Sequence, residues 1–342
     1  MNTPPPLTNL DPRELSVVIA SRWGLPPLHL AYQAVGFGSH HWRADAADGS
    51  GRRWFVTADE GGGIAGSAAM LRRALGAAAA LRDPAGGGIA QVVAPLPDRS
   101  GELVATLDDG RWAVALYPWL DVEPSAFGAF ASETDRSAAQ CLIARVHAAT
   151  ARIPEHLPDR DDFRIPLRDE LEDALNGLGV PWSGGPYTGQ TQSLLREAQD
   201  SIWRALADYD RLGERVRADP GDYPWVLTHG EPHAGNIVRR RDGGLAIVDW
   251  DTCAMAPRER DLWQMLSPAA DPDADLVAYQ EEAGDIPVST DALALYRLRW
   301  DLSEVAIYVQ WFRSPHEATE DMRTGFGGLR ESLGNLIARS PR

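Results

Sequence analysis

Residues 228–261, THGEPHAGNIVRRRDGGLAIVDWDTCAMAPRERD, decide the reading of this chain. A carboxylate at Glu231, an amide at Asn236 and a second carboxylate at Asp249 fall around two short apolar runs, NIVRR and LAIVDW, which RDGG separates. The glycine-bearing turn predicts a hairpin that brings Asn236 and Asp249 to neighbouring open ends. Three oxygen donors so placed suit magnesium on nucleotide phosphates, because magnesium prefers hard oxygens and keeps part of its water. Phosphoryl transfer needs a polarised acceptor hydroxyl, metal across the phosphates and cations against the developing charge. This stretch supplies the first two.

Outward from it, the chain changes character near residue 120. Upstream, PRELSVVIASRW has apolar residues at helical spacing and predicts a short leading helix. Leu28 to Val56 reads as short strands around DGSG, with a glycine-bearing turn at Gly36 and Gly38. SAAMLRRALGAAAALRD places Leu71, Leu75, Ala78 and Leu81 on one helix face, and QVVAPLP, ELVATLDD and RWAVALYPWL predict three further strands. Downstream, ETDRSAAQCLIARVHAAT is an amphipathic helix with Ser132 as N-cap, further helices are predicted over 167–178 and 190–217, and the chain from Asp273 onward is mostly helical. The expected class is α+β: a small antiparallel β-rich lobe with its hinge over 1–120, and a large mostly helical lobe over 121–342.

Composition sets the bounds. With 342 residues, 44% of them hydrophobic and 12 Trp, the chain supplies core for two lobes. Cys141 and Cys253 lie too far apart in sequence to suggest a disulfide framework or a zinc site. The N-terminus, MNTPPPLTNLDPREL, lacks the basic end and apolar run of a secretory signal, and no apolar stretch reaches spanning length, so a soluble, cytoplasmic protein without a membrane partner is expected. A net charge of −16 argues against general nucleic-acid binding and suits a cationic small molecule. The sequence contains no lysine, so all 33 basic residues are arginines, and any role that chemistry usually gives to lysine must be filled otherwise.

HGEPHAGN, followed by IVDWD and then PRERDLW, resembles the aminoglycoside phosphotransferase family, relatives of the eukaryotic-type protein kinases, and most of all its spectinomycin-phosphotransferase-like branch. The resemblance implies a protein-kinase-like bilobal fold with ATP or GTP in the interlobe cleft, Mg2+ as cofactor, and transfer to a hydroxyl-bearing small-molecule acceptor. An aminocyclitol, aminoglycoside-like or nucleoside antibiotic is the expected acceptor, and a monomer or homodimer the expected state. Residue by residue, it implies Glu231 as catalytic base, Asn236 and Asp249 as metal ligands, and His229 and Asp261 as structural braces of the loop. In ALYPWLD the Pro118 carbonyl and Leu120 amide would face the adenine edge, proline having no N–H to offer. Gly36, Gly38, Ser39 and His40 would cover the phosphates.

The chain departs from the family in three places. Glu231 stands where the family usually has aspartate, one methylene longer. Thr57 in WFVTADE takes the strand position of the phosphate-gripping lysine, and the following helix has no obvious glutamate partner. Loss of both halves is coherent, since loss of one would leave an unpaired charge in a cleft. Arg72, Arg73, His40 and His41 are the cations that could substitute. Third, GFGSHH lacks a third glycine and reads as a short turn, not a dinucleotide fingerprint. His233 and His147 read as structural histidines. Asp301 and Glu304, beside Trp300 on a late helix, offer carboxylates to a cationic acceptor or simply form a solvated face. Two other functions fit the residues: a metabolic kinase of a sugar, choline or amino-alcohol, and a nucleotide-binding pseudokinase.

Overall fold

The computed structural model describes residues 10–35, 39–61, 67–124, 128, 130–218, 223–267, 271–284 and 286–339; the glycine turn at Gly36 and Gly38 lies outside them. Asp11 caps the first helix, α1 (Pro12–Trp23), through the Arg13 N–H, and Gly24 ends it at φ 67°. Strands β1 (Leu28–Gln33), β2 (His40–Ala46), β3 (Arg53–Glu60), β4 (Ala105–Leu107) and β5 (Trp112–Pro118) form one antiparallel sheet in the order β1-β2-β3-β5-β4. One face, with Trp42, Ala44, Trp54, Val56, Ala58, Val114 and Leu116, packs on Leu15 and Ile19 of α1. Side chains alternate along a strand and directly opposed residues share a face. Phe55, Thr57 and Asp59 therefore point to the other side, together with His41, opposite Thr57, and Tyr117, opposite Phe55.

Between β3 and β4 runs α2 (Ala68–Arg82), capped by Ser67 and buried through Leu71, Leu75, Ala78 and Leu81. QVVAPLP is not a strand. It makes a single parallel bridge from Val92 to Ile247, and Pro95 and Pro97 have no N–H with which to extend a ladder. Next come α3 (Glu133–Ala148), with Ser132 accepting the Asp135 N–H at 3.1 Å, then α4 (Arg168–Asn176) and α5 (Thr188–Ala218). Short strands β6 (Trp225–Thr228) and β9 (Ala254–Pro257) pair with each other and enclose the hairpin of β7 (Ile237–Arg239) and β8 (Leu245–Ile247). The helices α6 (Glu259–Leu262), α7 (Pro272–Asp275), α8 (Val277–Ala283), α9 (Thr290–Arg313) and α10 (Glu320–Arg339) follow. The expected α+β class holds, strands dominating the first part and helices the later one.

Compactness groups the chain otherwise than a cut after residue 120. One unit comprises Met1–Arg160 with Val226–Ile286, the other Asp161–Trp225 with Pro287–Arg342. The reason is backbone pairing. The hairpin is tied to upstream chain by Val93 N–H to Ile247 O (3.0 Å), Ile247 N–H to Gln91 O (2.9 Å), Glu123 N–H to Arg239 O (2.8 Å) and Arg241 N–H to Asp121 O (2.9 Å). The second unit is helical, with α9 packed against α4, α5 and α10 around Leu195, Ile202, Leu302, Val305 and Leu333. Among the described residues, no helix is long and apolar enough to cross a membrane.

Candidate active site

The loop that leaves β6 is held from below by one buried carboxylate. Asp261, fully buried at the start of α6, accepts the N–H of His229 at 2.9 Å and of Gly230 at 2.6 Å. His147 Nε2 on α3 lies 3.0 Å from the same carboxylate, and the Tyr279 hydroxyl of α8 meets His147 Nδ1 at 2.9 Å. Burial alone would push the Asp261 carboxyl up, but its His147 hydrogen bond and the neighbouring His147, His229 and Arg260 hold it below the usual range. Gly230 has φ 102°, a conformation that favours glycine, and an added Cβ would have to displace the Arg260 guanidinium, 2.5 Å away. His229 Nε2–H donates to Val248 O at 2.8 Å while Nδ1 accepts the Glu231 N–H at 3.2 Å. Both ring nitrogens are used by a neutral imidazole, and burial lowers its pKa to about 4.

Asn236 and Asp249 meet at the open end of the hairpin, where the Val248 N–H donates to Asn236 O at 2.9 Å. The Asn236 Nδ2 donates to the Glu231 carbonyl at 3.0 Å, so Oδ1 is the atom that can turn to a cation. Asp249 sits at φ 68°, in the left-handed region, with its side chain reaching solvent although protein surrounds most of it. Its carboxyl is pushed well up, first by Asp251, then by burial, Glu231 and Asp59. Burial also raises Asp251. On β3, burial pushes Asp59 up to about 6, against a short hydrogen bond from Ser39 Oγ and with Asp251 adding repulsion. Carboxylates that repel one another in this way fit a divalent cation, which would relieve the repulsion. Among the described residues no three His, Cys, Asp or Glu side chains close into a metal cage.

Other expected residues land elsewhere. His40 packs its ring on Trp112 (5.6 Å), Trp42 (6.2 Å) and Tyr32 (6.4 Å), on the face that covers α1. His41, one residue on and therefore on the opposite face, shares the side of Thr57; it stacks on Phe55 at 5.2 Å and donates Nδ1–H to Val35 O. Arg73 is committed to Asp159 at 2.6 and 2.7 Å. Thr57 hydrogen bonds Tyr117, whose phenol is raised by burial and by Asp59, Asp249 and Asp251. Beyond Pro118, Leu120 joins Tyr117, Val122 and Val248 against Val93, Val238 and Ala246 in an apolar floor. In the second unit Asp301 is a helix-packing residue: buried on α9, it accepts from Asn335 at 3.0 Å and pairs with Arg339 of α10. Glu304 hydrogen bonds Tyr308 and burial raises its carboxyl, while Trp300 is half-buried beside it. Asp59, Asp251 and Tyr117 were not singled out by sequence. The available signals were alternation, which puts Asp59 on the face of Thr57, and the repeated acid in VDWD.

Fold and loop together define a phosphotransferase with an acid-lined hairpin site. The family model described as the phosphotransferase enzyme family matches residues 41–296, and the chain belongs to that family. As a member of it, the chain is a phosphotransferase. The protein StrN of Streptomyces griseus is 33% identical over 243 residues, covering 67% of either chain. Similar solved structures include spectinomycin phosphotransferase APH(9)-Ia in complex with ADP and spectinomycin, at 17% identity over 97% of this chain and 99% of that one, with a TM-score of 0.71. Amicoumacin kinase hAmiN, at 15% identity over 97% and 95%, has a TM-score of 0.60, and a microcompartment-associated aminopropanol kinase, at 16% over 94% and 96%, also has 0.60. These likenesses establish the fold.

Proposed function

We propose that this chain moves the terminal phosphoryl group of ATP or GTP to a hydroxyl of an aminocyclitol, aminoglycoside-like or nucleoside antibiotic. The observation that carries the reading is the convergence of Glu231, Asn236 and Asp249 on one braced loop and hairpin, with Asp59 and Asp251 beside them. Asn236 and Asp249 would hold Mg2+, which when bound neutralises phosphate charge. Glu231 takes the acceptor's proton as the hydroxyl oxygen bonds the terminal phosphorus, and the bond to the bridging oxygen breaks to release the nucleoside diphosphate. The Pro118 carbonyl and Leu120 amide would read the base, which rests on the floor of Val93, Val238 and Ala246. The antibiotic class follows the spectinomycin and amicoumacin enzymes of the same fold. The aminopropanol kinase supports the metabolic alternative.

Coupled nucleoside-diphosphate release, run with ATP and with GTP against hydroxylated antibiotics, sugars, choline and amino-alcohols, separates these readings. Release stimulated by an antibiotic is expected, and Asp249→Ala should reduce it by about 100- to 1,000-fold, the scale of losing a main charge-stabilising group. Stimulation by amino-alcohols, sugars or choline alone would replace the antibiotic with a metabolite. Tight nucleotide binding with no stimulated release from any acceptor would overturn catalysis in favour of a pseudokinase.

A further inference from the structure

The same loop carries a second histidine whose Nε2 lies near the Glu231 carboxylate. His233 is 14% exposed at its side chain, and its carbonyl fixes the loop by accepting the N–H groups of Asn236 and Ile237, both at 2.9 Å. Its Nδ1 accepts the Gly235 N–H at 3.1 Å, so the ring proton sits on Nε2. That Nε2 stands 3.4 Å from Asn236 Nδ2 and 4.0 Å from Glu231 Oε2. The Asn236 Nδ2 is a donor and not an acceptor, so it cannot take the ring proton. The Glu231 carboxylate is the acceptor within reach of a small side-chain rotation. An aspartate at 231 would fall short by one C–C bond, about 1.5 Å.

We propose that His233 is a positioning residue for Glu231: its Nε2–H holds Oε2 of the carboxylate and leaves Oε1 to face the acceptor hydroxyl. The methylene that distinguishes this loop from an aspartate-bearing one is what carries the carboxylate to its histidine. A flexible glutamate becomes a fixed base, and Glu231 with His233 works as one unit. The inference rests on Glu231 being the base of the proposed reaction.

Two measurements on the full chain test it. In ring-nitrogen spectra of histidine-labelled protein, with His233 assigned by the signal lost in His233→Gln, the Nε2–H tautomer is expected, and its resonances should move in Glu231→Ala and Glu231→Asp. In nucleoside-diphosphate release, with the best acceptor of the panel or with water, His233→Ala should lower kcat by about 10- to 100-fold, the scale of a misplaced reacting group, at unchanged nucleotide KM. His233→Gln, whose amide places a donor at the Nε2 position, should recover to within about 3-fold, and His233→Ala should add less than about 2-fold in a Glu231→Asp background, as coupled residues do. An Nδ1–H tautomer, His233 resonances indifferent to Glu231, a loss confined to nucleotide KM or thermal stability, or an equal loss in the aspartate background would each overturn the pairing. Unchanged turnover in Glu231→Ala would instead remove the base assignment beneath it.

Discussion

Asp59 shows at the scale of one residue how stability is spent at this site. Its folded pKa of about 6 exceeds its ordinary value of 3.8 because burial, with help from Asp251, disfavours the charge. The folded state then holds more protons than the unfolded chain between those values, so the stability of the neutral form is present below pH 3.8 and lost as pH rises to about 6. About two pKa units correspond to roughly 3 kcal/mol. Asp59→Asn, which keeps an acceptor for Ser39, should therefore raise stability in urea by up to about 3 kcal/mol at pH 8 and leave it unchanged near pH 3.5. His229 works with the opposite sign: its pKa falls from 6.5 to about 4, so its contribution is lost as pH drops through that window. The comparison must therefore be variant against parent at each pH. An asparagine variant no more stable than the parent at pH 8 would show that Asp59 is not strained in the metal-free protein.

At the scale of elements, one carboxylate joins α3, α6, α8 and the loop after β6, through His147, Tyr279 and the N–H groups of His229 and Gly230. Asp261→Ala should cost about 3–5 kcal/mol, as removing one partner of a buried charged network does. Amide exchange would show the loss concentrated in residues 228–237, with kcat falling more than nucleotide affinity; exchange rising evenly over the whole first unit would argue against a local brace. Much of this element was legible in sequence, because the RDGG turn fixes a hairpin and the hairpin fixes Asn236 beside Asp249. The start of α3 was legible because a local cap, Ser132, marks it. What was not legible depends on partners distant in sequence. A one-residue choice of register moves every side chain of β2 to the other face, so HH at 40–41 did not reveal that His41, not His40, shares the side of Thr57. QVVAPLP has strand composition but its partner supplies one bridge only. Asp301 sits on a charged stripe in sequence, and only the fold brings Arg339 to it.

Over the whole molecule the dominant fact is charge: −16 formal units with no lysine, while the nucleotide that the site would bind is itself an anion. Exposed charges act over about 30 Å at 0.01 M salt and only about 8 Å at 0.15 M. The protein's field therefore repels the nucleotide and attracts a cationic acceptor at low ionic strength, and both effects fade as salt rises. Between 0.01 and 0.15 M salt the KM for Mg-nucleotide should fall and the KM for a cationic acceptor should rise, each by about 3- to 10-fold, with kcat nearly constant because the buried groups of the loop are screened little. Initial rates in chloride and in glutamate salts separate screening from specific anion binding. A nucleotide KM that rises with salt would mean that local arginines outweigh the global field, and would mark the phosphate-binding cation that the missing lysine leaves unassigned. Opposite slopes for the two substrates would instead mean that nucleotide capture is achieved against the protein's charge, as the metal site proposed at Asn236 and Asp249 and the apolar floor proposed under the base require.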